Sequence, residues 1–264
     1  MKANFLVETA LLGQGLYSCD DEMVRSAWRA KLPEDLQALA WLWQGEVIIG
    51  SIDEFLQVRN AENMGRFNGY TLEQAQADGK SGFITAGGTM KLAAEQGLPF
   101  VISCGIGGVC GGKVSSDLPM LCSLPVVLVA TSPKDMIDTA ATVDYLRQEG
   151  FAVYGKDCDI ADGYLFVGER VQLDGSLDCK SGGEKPQLPA DCKLLLNPLP
   201  RDKRMGGKDI LRFAVQAGEA AAARGEEFHP TVNRALDSMT NGSTSAKQLL
   251  SLMENIKFVY KTFD

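Results

Sequence analysis

The amino-acid sequence predicts an α/β fold: a mixed, mostly parallel sheet with helices on both faces. Three observations predict it. Strand-like apolar segments alternate with segments of helical periodicity along the 264-residue chain. The run over residues 124–130, L-P-V-V-L-V-A, is continuously apolar and of strand length, as expected of a strand covered on both faces. Helical segments stop at Gly97, Gly150 and Gly225, and glycine is the residue that most readily closes a helix C-terminus.

In chain order, residues 5–12 read as a short strand ending near Gly13, and 21–31 and 33–43 as helices. Residues 46–51, E-V-I-I-G-S, predict a strand and Leu72–Ala77 a short helix. Residues 88–96 form a helix stopped by Gly97, with Pro99 and a strand over 100–103 behind it. After 124–130, Ser132-Pro133 opens a helix as N-cap and first helical residue. Met136, Ile137, Ala140, Val143 and Leu146 are its apolar stripe, as far as Gly150. Residues 151–154 are the next strand. The stretch 168–192 is polar, rich in Gly, Asp and Lys, and reads as an excursion from the core. Residues 194–196 end a strand at Asn197-Pro198. Ile210, Leu211, Ala214, Val215, Gly218 and Ala222 mark an amphipathic helix, and 243–258 is the last. No repeat or linker divides the chain, so residues 1–264 read as one domain.

Composition narrows the function. An apolar fraction of 45% and a charged fraction of 23% are those of a soluble globular protein. A net charge of −8 without a Lys/Arg run argues against nucleic acid, and leaves room for a local basic pocket that holds a phosphorylated small molecule. Glu8 interrupts any apolar leader in M-K-A-N-F-L-V-E-T, and no segment has the length of a membrane span. Seven cysteines, an odd number with no C-x-x-C pair, suggest free thiols in a reducing cytoplasm. With His229 alone, a histidine zinc site or a histidine triad has little support. Cys104 and Cys110 are a weak metal pair and read more simply as small buried fillers.

The chemistry concentrates between residues 82 and 134. Two glycine-rich turns interrupt apolar segments there, and glycines let a backbone expose its N–H groups to a ligand. G-G-V-C-G-G-K-V over 107–114 nearly matches a nucleotide phosphate loop. Val114 stands where Ser or Thr is required, and 124–130 offers no Asp for magnesium, so NTP hydrolysis is disfavoured. A glycine loop binding some phosphate and a purely structural turn both remain. Lys134 is either a solvated surface lysine or a nucleophile. Burial and a helix N-terminus both disfavour its ammonium form and would leave a free amine to attack a sugar aldehyde. Glu8 is either an outward-facing strand residue or a buried acid suited to proton transfer.

Several motifs together resemble the pseudouridine-5′-phosphate glycosidases, which include the indigoidine-cluster A proteins. They are V-E-T-A-L-L-G-Q-G around Glu8, G-F-I-T-A-G-G-T-M, G-I-G-G-V, S-S-D-L-P-M-L, L-P-V-V-L-V-A-T-S-P-K-D-M-I-D, T-V-D-Y-L-R-Q-E-G-F-A-V-Y-G and L-N-P-L-P. The likeness is strong over 82–155, recognisable near Glu8 and Asn197, and vague elsewhere. It implies an α/β/α sandwich, a homotrimer, and reversible cleavage of a C–C glycosidic bond to ribose 5-phosphate. It implies Lys134 as the Schiff-base nucleophile at C1′ and Glu8 as the acid/base that opens the ring. It places substrate contacts on Arg66, Ala86, Ser115, Ser116, Asp117 and Asn255.

Three departures from the family stand out. Arg66 replaces a phosphate-contacting lysine, a mild change because a guanidinium also holds phosphate. Cys110 replaces a histidine. Lys113 falls on the aspartate that holds the family's Mn²⁺, so no metal is expected, and its ammonium is expected to stand where the ion's charge stood. A shorter loop accompanies that alignment. The covalent pair is kept while the aglycone side is altered, which suggests a changed aglycone. The expected function is cleavage or formation of a C-glycoside of ribose 5-phosphate by a cytoplasmic homotrimer. Alternatives are a C-glycoside synthase of a natural-product pathway and a non-catalytic phosphosugar-binding relative.

Overall fold

The computed structural model describes residues 1–179, 186–226 and 228–264. Its elements, in chain order, are β1 (Lys2–Val7), α1 (Ala10–Gln14), α2 (Asp21–Arg29), β2 (Gln37–Trp43), β3 (Glu46–Gly50), α3 (Ile52–Val58), β4 (Gly65–Phe67), α4 (Leu72–Ala77) and β5 (Gly82–Ile84). There follow α5 (Ala86–Glu95), β6 (Phe100–Ile102), β7 (Val109–Cys110), β8 (Lys113–Val114), α6 (Asp117–Ser123), β9 (Val127–Ala130), α7 (Thr139–Gln148) and β10 (Ala152–Lys156). The rest are β11 (Ile160–Ala161), β12 (Val171–Gln172), β13 (Gly175–Leu177), β14 (Cys192–Leu196), α8 (Lys208–Ala223), α9 (Phe228–Met239) and α10 (Ser243–Thr262).

The main sheet runs β13-β10-β14-β9-β6-β1-β2-β5-β4, with β3 also paired to β2. Its pairs are parallel except β2 with β3 and β2 with β5. Strand residues alternate between two cores. Phe5, Val7, Ile102 and Val129 pack with Trp28, Phe55, Leu252 and Ile256 on one face. Leu6, Val101, Leu128 and Ala130 pack with Leu72, Met90, Leu121 and Val143 on the other. Helices α2, α3 and α10 therefore cover one face and α4–α7 the other, the sandwich the sequence predicts. Central strands buried on both faces explain why 124–130 has no polar alternation.

Four stretches differ from expectation. Residues 37–43 form a strand, where the sequence predicts a helix. Gln44 and Gly45 both take positive φ (50° and 85°), the conformation of a tight hairpin turn, and return the chain as β3 in register with β2. The aromatic residues Trp41 and Trp43 suit that pleated surface better than a helix. The first strand stops at Val7, and α1 begins at Ala10. Ser132-Pro133 opens no helix. The backbone there pairs with the turn after β6: Thr131 N–H to Cys104 O (2.9 Å), Ile106 N–H to Ser132 O (3.2 Å), Lys134 N–H to Ile106 O (3.1 Å) and Asp138 N–H to Val109 O (2.9 Å). The helix waits until Thr139, capped by the Asp138 side chain on Ala141 N–H. The stretch 168–192 is only partly an excursion, since β13 adds an edge strand to the sheet beside β10. Residues 180–185 of that stretch lie outside the described residues.

Asn255 of α10 holds the strand ends from below. It is fully buried; its Nδ2 donates to Ser103 O (2.9 Å) and Thr131 Oγ1 (3.0 Å), and its Oδ1 accepts from Asn197 Nδ2 (3.0 Å). One amide thus ties the ends of β6, β9 and β14. Asn255→Leu should lower unfolding stability by about 2–4 kcal/mol in urea melts, because buried acceptors and a donor lose their partner. A loss below about 0.5 kcal/mol would show the amide to be dispensable.

Candidate active site

Strand ends on one edge of the sheet assemble the candidate site, as ligand sites do in open α/β sheets. Glu8 follows β1, the turn Ser103-Cys104-Gly105 follows β6, and Lys134 follows β9. Thr9 N–H bonds Ile84 O (3.1 Å) and Thr9 Oγ1 donates to Ala40 O (2.6 Å), which brings the end of β5 alongside. Glu8, Arg66, Lys134, Cys104, Gly105 and Tyr164 line one cavity of about 20 Å³, with Asn233 of α9 and Gln248 of α10 over them. That volume suits about one water. Three residues expected to act together, Glu8, Arg66 and Lys134, are therefore gathered in one place.

Glu8 is 6% exposed and accepts a hydrogen bond from Ser103 Oγ (2.7 Å). Burial raises its carboxyl above the ordinary 4.5, against the opposing pull of Lys134, of the Ser103 hydrogen bond and of Arg66; the Asp117 charge adds to the rise. Glu8 is thus the buried acid of the two readings that the sequence left open. The dipole argument for Lys134 does not apply, since no helix starts there. Lys134 is held instead by its N–H on Ile106 and lies against Gly105 and Tyr164.

Gly105 leaves little room for a side chain. A methyl group there would sit 3.0 Å from Tyr164 Cζ and 3.2 Å from Lys134 Cγ. Tyr164 is buried, and its hydroxyl meets Cys104 Sγ at 2.7 Å. Burial pushes the Cys104 thiol up to about 12, so it is not a reactive thiolate. Arg66 also borders a second cavity, of about 390 Å³, shared with Arg234, Tyr17 and Gln14. His229, one turn before Asn233 on α9, is neutral: burial and the Lys134 and Arg66 charges push it down to about 3.

The remaining predicted residues fall in three places. Ser115, Asp117 and Ala86 gather beside the cavity around the glycines. Asp117 Oδ2 accepts Gly107 N–H (3.2 Å), and methyl groups on Gly107 and Gly87 would touch Ser115 Oγ and Asp117 Oδ1 at 2.4 and 3.2 Å. Ser116 is the residue before α6 and makes no side-chain cap bond. The G-G-V-C-G-G-K-V stretch is a hairpin of β7 and β8 whose Gly111-Gly112 turn takes φ of 54° and 75°, and it carries Lys113 out to solvent. Asn255 sits under the strand ends with its amide fully engaged, and it supports the site from below.

Sequence reasoning missed Tyr164, Asn233, Gln248, Arg234 and the placement of His229. The i, i+4 spacing of His229 and Asn233 on a helix was the one available signal. No helix among the described residues is long and apolar enough to cross a membrane.

The profile of a family described as Indigoidine synthase A like protein matches residues 31–260. The chain belongs to that family. It is 28% identical over 223 residues to a pseudouridine-5′-phosphate glycosidase of Thermotoga petrophila, covering 81% of this chain and 77% of the relative. It is 26% identical over 226 residues to the enzyme of the same name from Thermus thermophilus, covering 82% and 80%. Two solved structures share its fold. One is the prealnumycin C-glycosynthase AlnA in complex with ribulose 5-phosphate (TM-score 0.73, 19% identity, 98% of this chain and 89% of the other). The second is an indigoidine synthase A-like protein of Thermotoga maritima (0.71, 20%, 98% and 91%).

The burial of Glu8 has a consequence for stability. Its folded-state pKa lies above 4.5, so its contribution to stability is complete below about pH 4.5 and is lost as pH rises through the raised folded value. Glu8→Gln keeps an acceptor for Ser103 and removes the buried charge. The Gln protein should melt higher than the parent at about pH 8, with the difference closing near pH 4. Thermal unfolding across that range checks it; a parent that melts higher at pH 8 would show that Lys134 and Arg66 outweigh burial.

Proposed function

We propose that the chain cleaves or forms a C-glycosidic bond to ribose 5-phosphate through a Schiff base on Lys134. The observation that carries the proposal is the meeting of Lys134, Glu8 and Arg66 around one buried cavity. An amine, a carboxyl with raised pKa and a guanidinium are the nucleophile, acid and anion holder such a reaction needs. The names of the relatives supply the substrate class, a C-nucleoside 5′-phosphate.

Glu8 in its acid form protonates the ribose ring oxygen and releases the C1′ end of the sugar. Lys134 attacks C1′, and the aglycone carbon departs with its bonding pair and takes a proton. Water then hydrolyses the imine and frees ribose 5-phosphate. Arg66 holds the phosphate, and the Ser115–Asp117 turn holds the sugar. The reverse sequence is synthesis, and the fold shared with a C-glycosynthase favours it as the second reading. A binding protein without catalysis would have no use for a lysine beside a buried acid.

The donor set does not suit a divalent ion. Among the described residues Asp117 is the one carboxylate at the turn and is engaged by Gly107 N–H, and Lys113, which falls on the family's metal aspartate by resemblance of sequence, is exposed on the hairpin. No cluster of three His, Cys, Asp or Glu able to hold an ion occurs among the described residues. No step is therefore routed through a metal, and the aglycone is proposed to differ from uracil.

Two experiments test this reading. Ribose 5-phosphate with borohydride should leave a reduced sugar on Lys134, seen by peptide mass, with turnover falling by orders of magnitude in Lys134→Ala. No adduct, or an adduct that survives that substitution, rules out the Schiff base. EDTA should leave turnover unchanged, and Lys113→Asp should introduce Mn²⁺ binding measurable by calorimetry. EDTA inhibition that Mn²⁺ reverses would overturn the metal-free reading.

A further inference from the structure

Tyr164 has no part in the mechanism so far, yet its ring lines the same cavity as Lys134 and Glu8. It is 3% exposed. Its phenol carbon and the Lys134 stem lie within 3.2 Å of one point, the place a methyl on Gly105 would occupy. Among the described residues its hydroxyl meets only Cys104 Sγ, and a thiol is a weak partner. A phenol that served packing alone would be better as Phe, since a buried hydroxyl needs a good partner.

The ring is also held firmly. The Asp135 carboxylate accepts the backbone N–H groups of Tyr164 (3.1 Å), Leu165 (3.0 Å) and Phe166 (3.2 Å). Asp135 is the residue after Lys134, so one half-buried side chain fixes the segment that carries the phenol to the backbone that carries the amine. Asp135 is a positioning residue.

We propose that the Tyr164 hydroxyl is a catalytic group in the exchange of free ribose 5-phosphate with the Lys134 imine, where it shuttles a proton from the attacking Lys134 nitrogen to the C1′ oxygen of the open-chain aldehyde. The inference rests on the Schiff-base reading above. As the C1′–N bond forms, the carbonyl pair moves onto oxygen. That oxygen takes the phenol proton and becomes a hydroxyl. The phenolate takes a proton from the nitrogen, now positively charged, and returns to phenol. No net proton or electron enters or leaves. Glu8 then protonates that hydroxyl as water departs, so the two acids act on the C1′ oxygen in turn. Burial and the neighbouring Cys104, Asp135 and Glu8 hold the Tyr164 phenol well above its usual value, which keeps it protonated at rest.

The test is the rate of borohydride trapping of ribose 5-phosphate by the full chain, in the parent and in Tyr164→Phe. The Phe variant should trap about 10²-fold more slowly, the scale of a lost acid–base group, and reach the same final adduct. Phosphate-sugar affinity should be unchanged, which a packing defect would not spare. A parent that traps while the Phe variant keeps pace overturns this inference alone; a parent that never traps overturns the Schiff base with it. Should the Phe variant not fold, 3-fluorotyrosine at position 164 keeps the shape with a more acidic phenol. The trapping rate near neutral pH should then change with the acidity of the phenol, and an unchanged rate overturns the shuttle.

Discussion

The site depends on one run of backbone hydrogen bonds. Thr131, Ile106, Lys134 and Asp138 stitch the turn after β6 to the segment after β9, in a region where the chain has already left both strands. The pairing uses N–H and C=O groups that would otherwise need a helix or water. It stops the residues after Ala130 from coiling directly into α7, and it lays Lys134 flat beside the Ser103-Cys104-Gly105 turn. Glu8 then comes into reach through its own N–H bond to Ile102 O (3.0 Å). A lysine placed by a continuous ladder is aimed more tightly than one on a free helix end.

Much of the fold was legible in the sequence. The double-sided burial of the last part of 124–130, the glycine-closed helices and the alternation of elements each reflect local periodicity and survive in the structure, although the strand itself starts only at Val127. Residues 37–43 were illegible because an apolar aromatic run has no period that separates strand from buried helix. The turn that decides the matter, Gln44-Gly45, places a non-glycine at positive φ and so lacks the usual hairpin signature. At 132–139 a good capping pair, Ser-Pro, lost to long-range pairing with residues distant in sequence.

The site was legible where chemistry and chain position coincide, as for Lys134 and Glu8, and illegible where tertiary docking supplies the group. Nothing in A-D-G-Y-L-F marks Tyr164, because the Asp135 carboxylate brings it in from across a loop. Asn255, expected to touch substrate, braces the strand ends with all of its amide, as a polar group in a core does when its partners are satisfied.

The small size of the cavity between the strand ends and helices α9 and α10 has a kinetic meaning. The space beside Lys134 holds about one water, while Arg66 also borders the larger cavity of about 390 Å³, so a phosphopentose that reaches Lys134 must displace side chains around it. Apparent affinity is then the intrinsic affinity scaled by the open fraction. Association should be slow and saturating rather than diffusive, and departure of the sugar rather than bond breaking can set the pace of a full cycle. A site that must loosen to admit its ligand also holds bulk water away from that ligand once the side chains settle back, so the rate of exchange and the shelter of the bound sugar are linked.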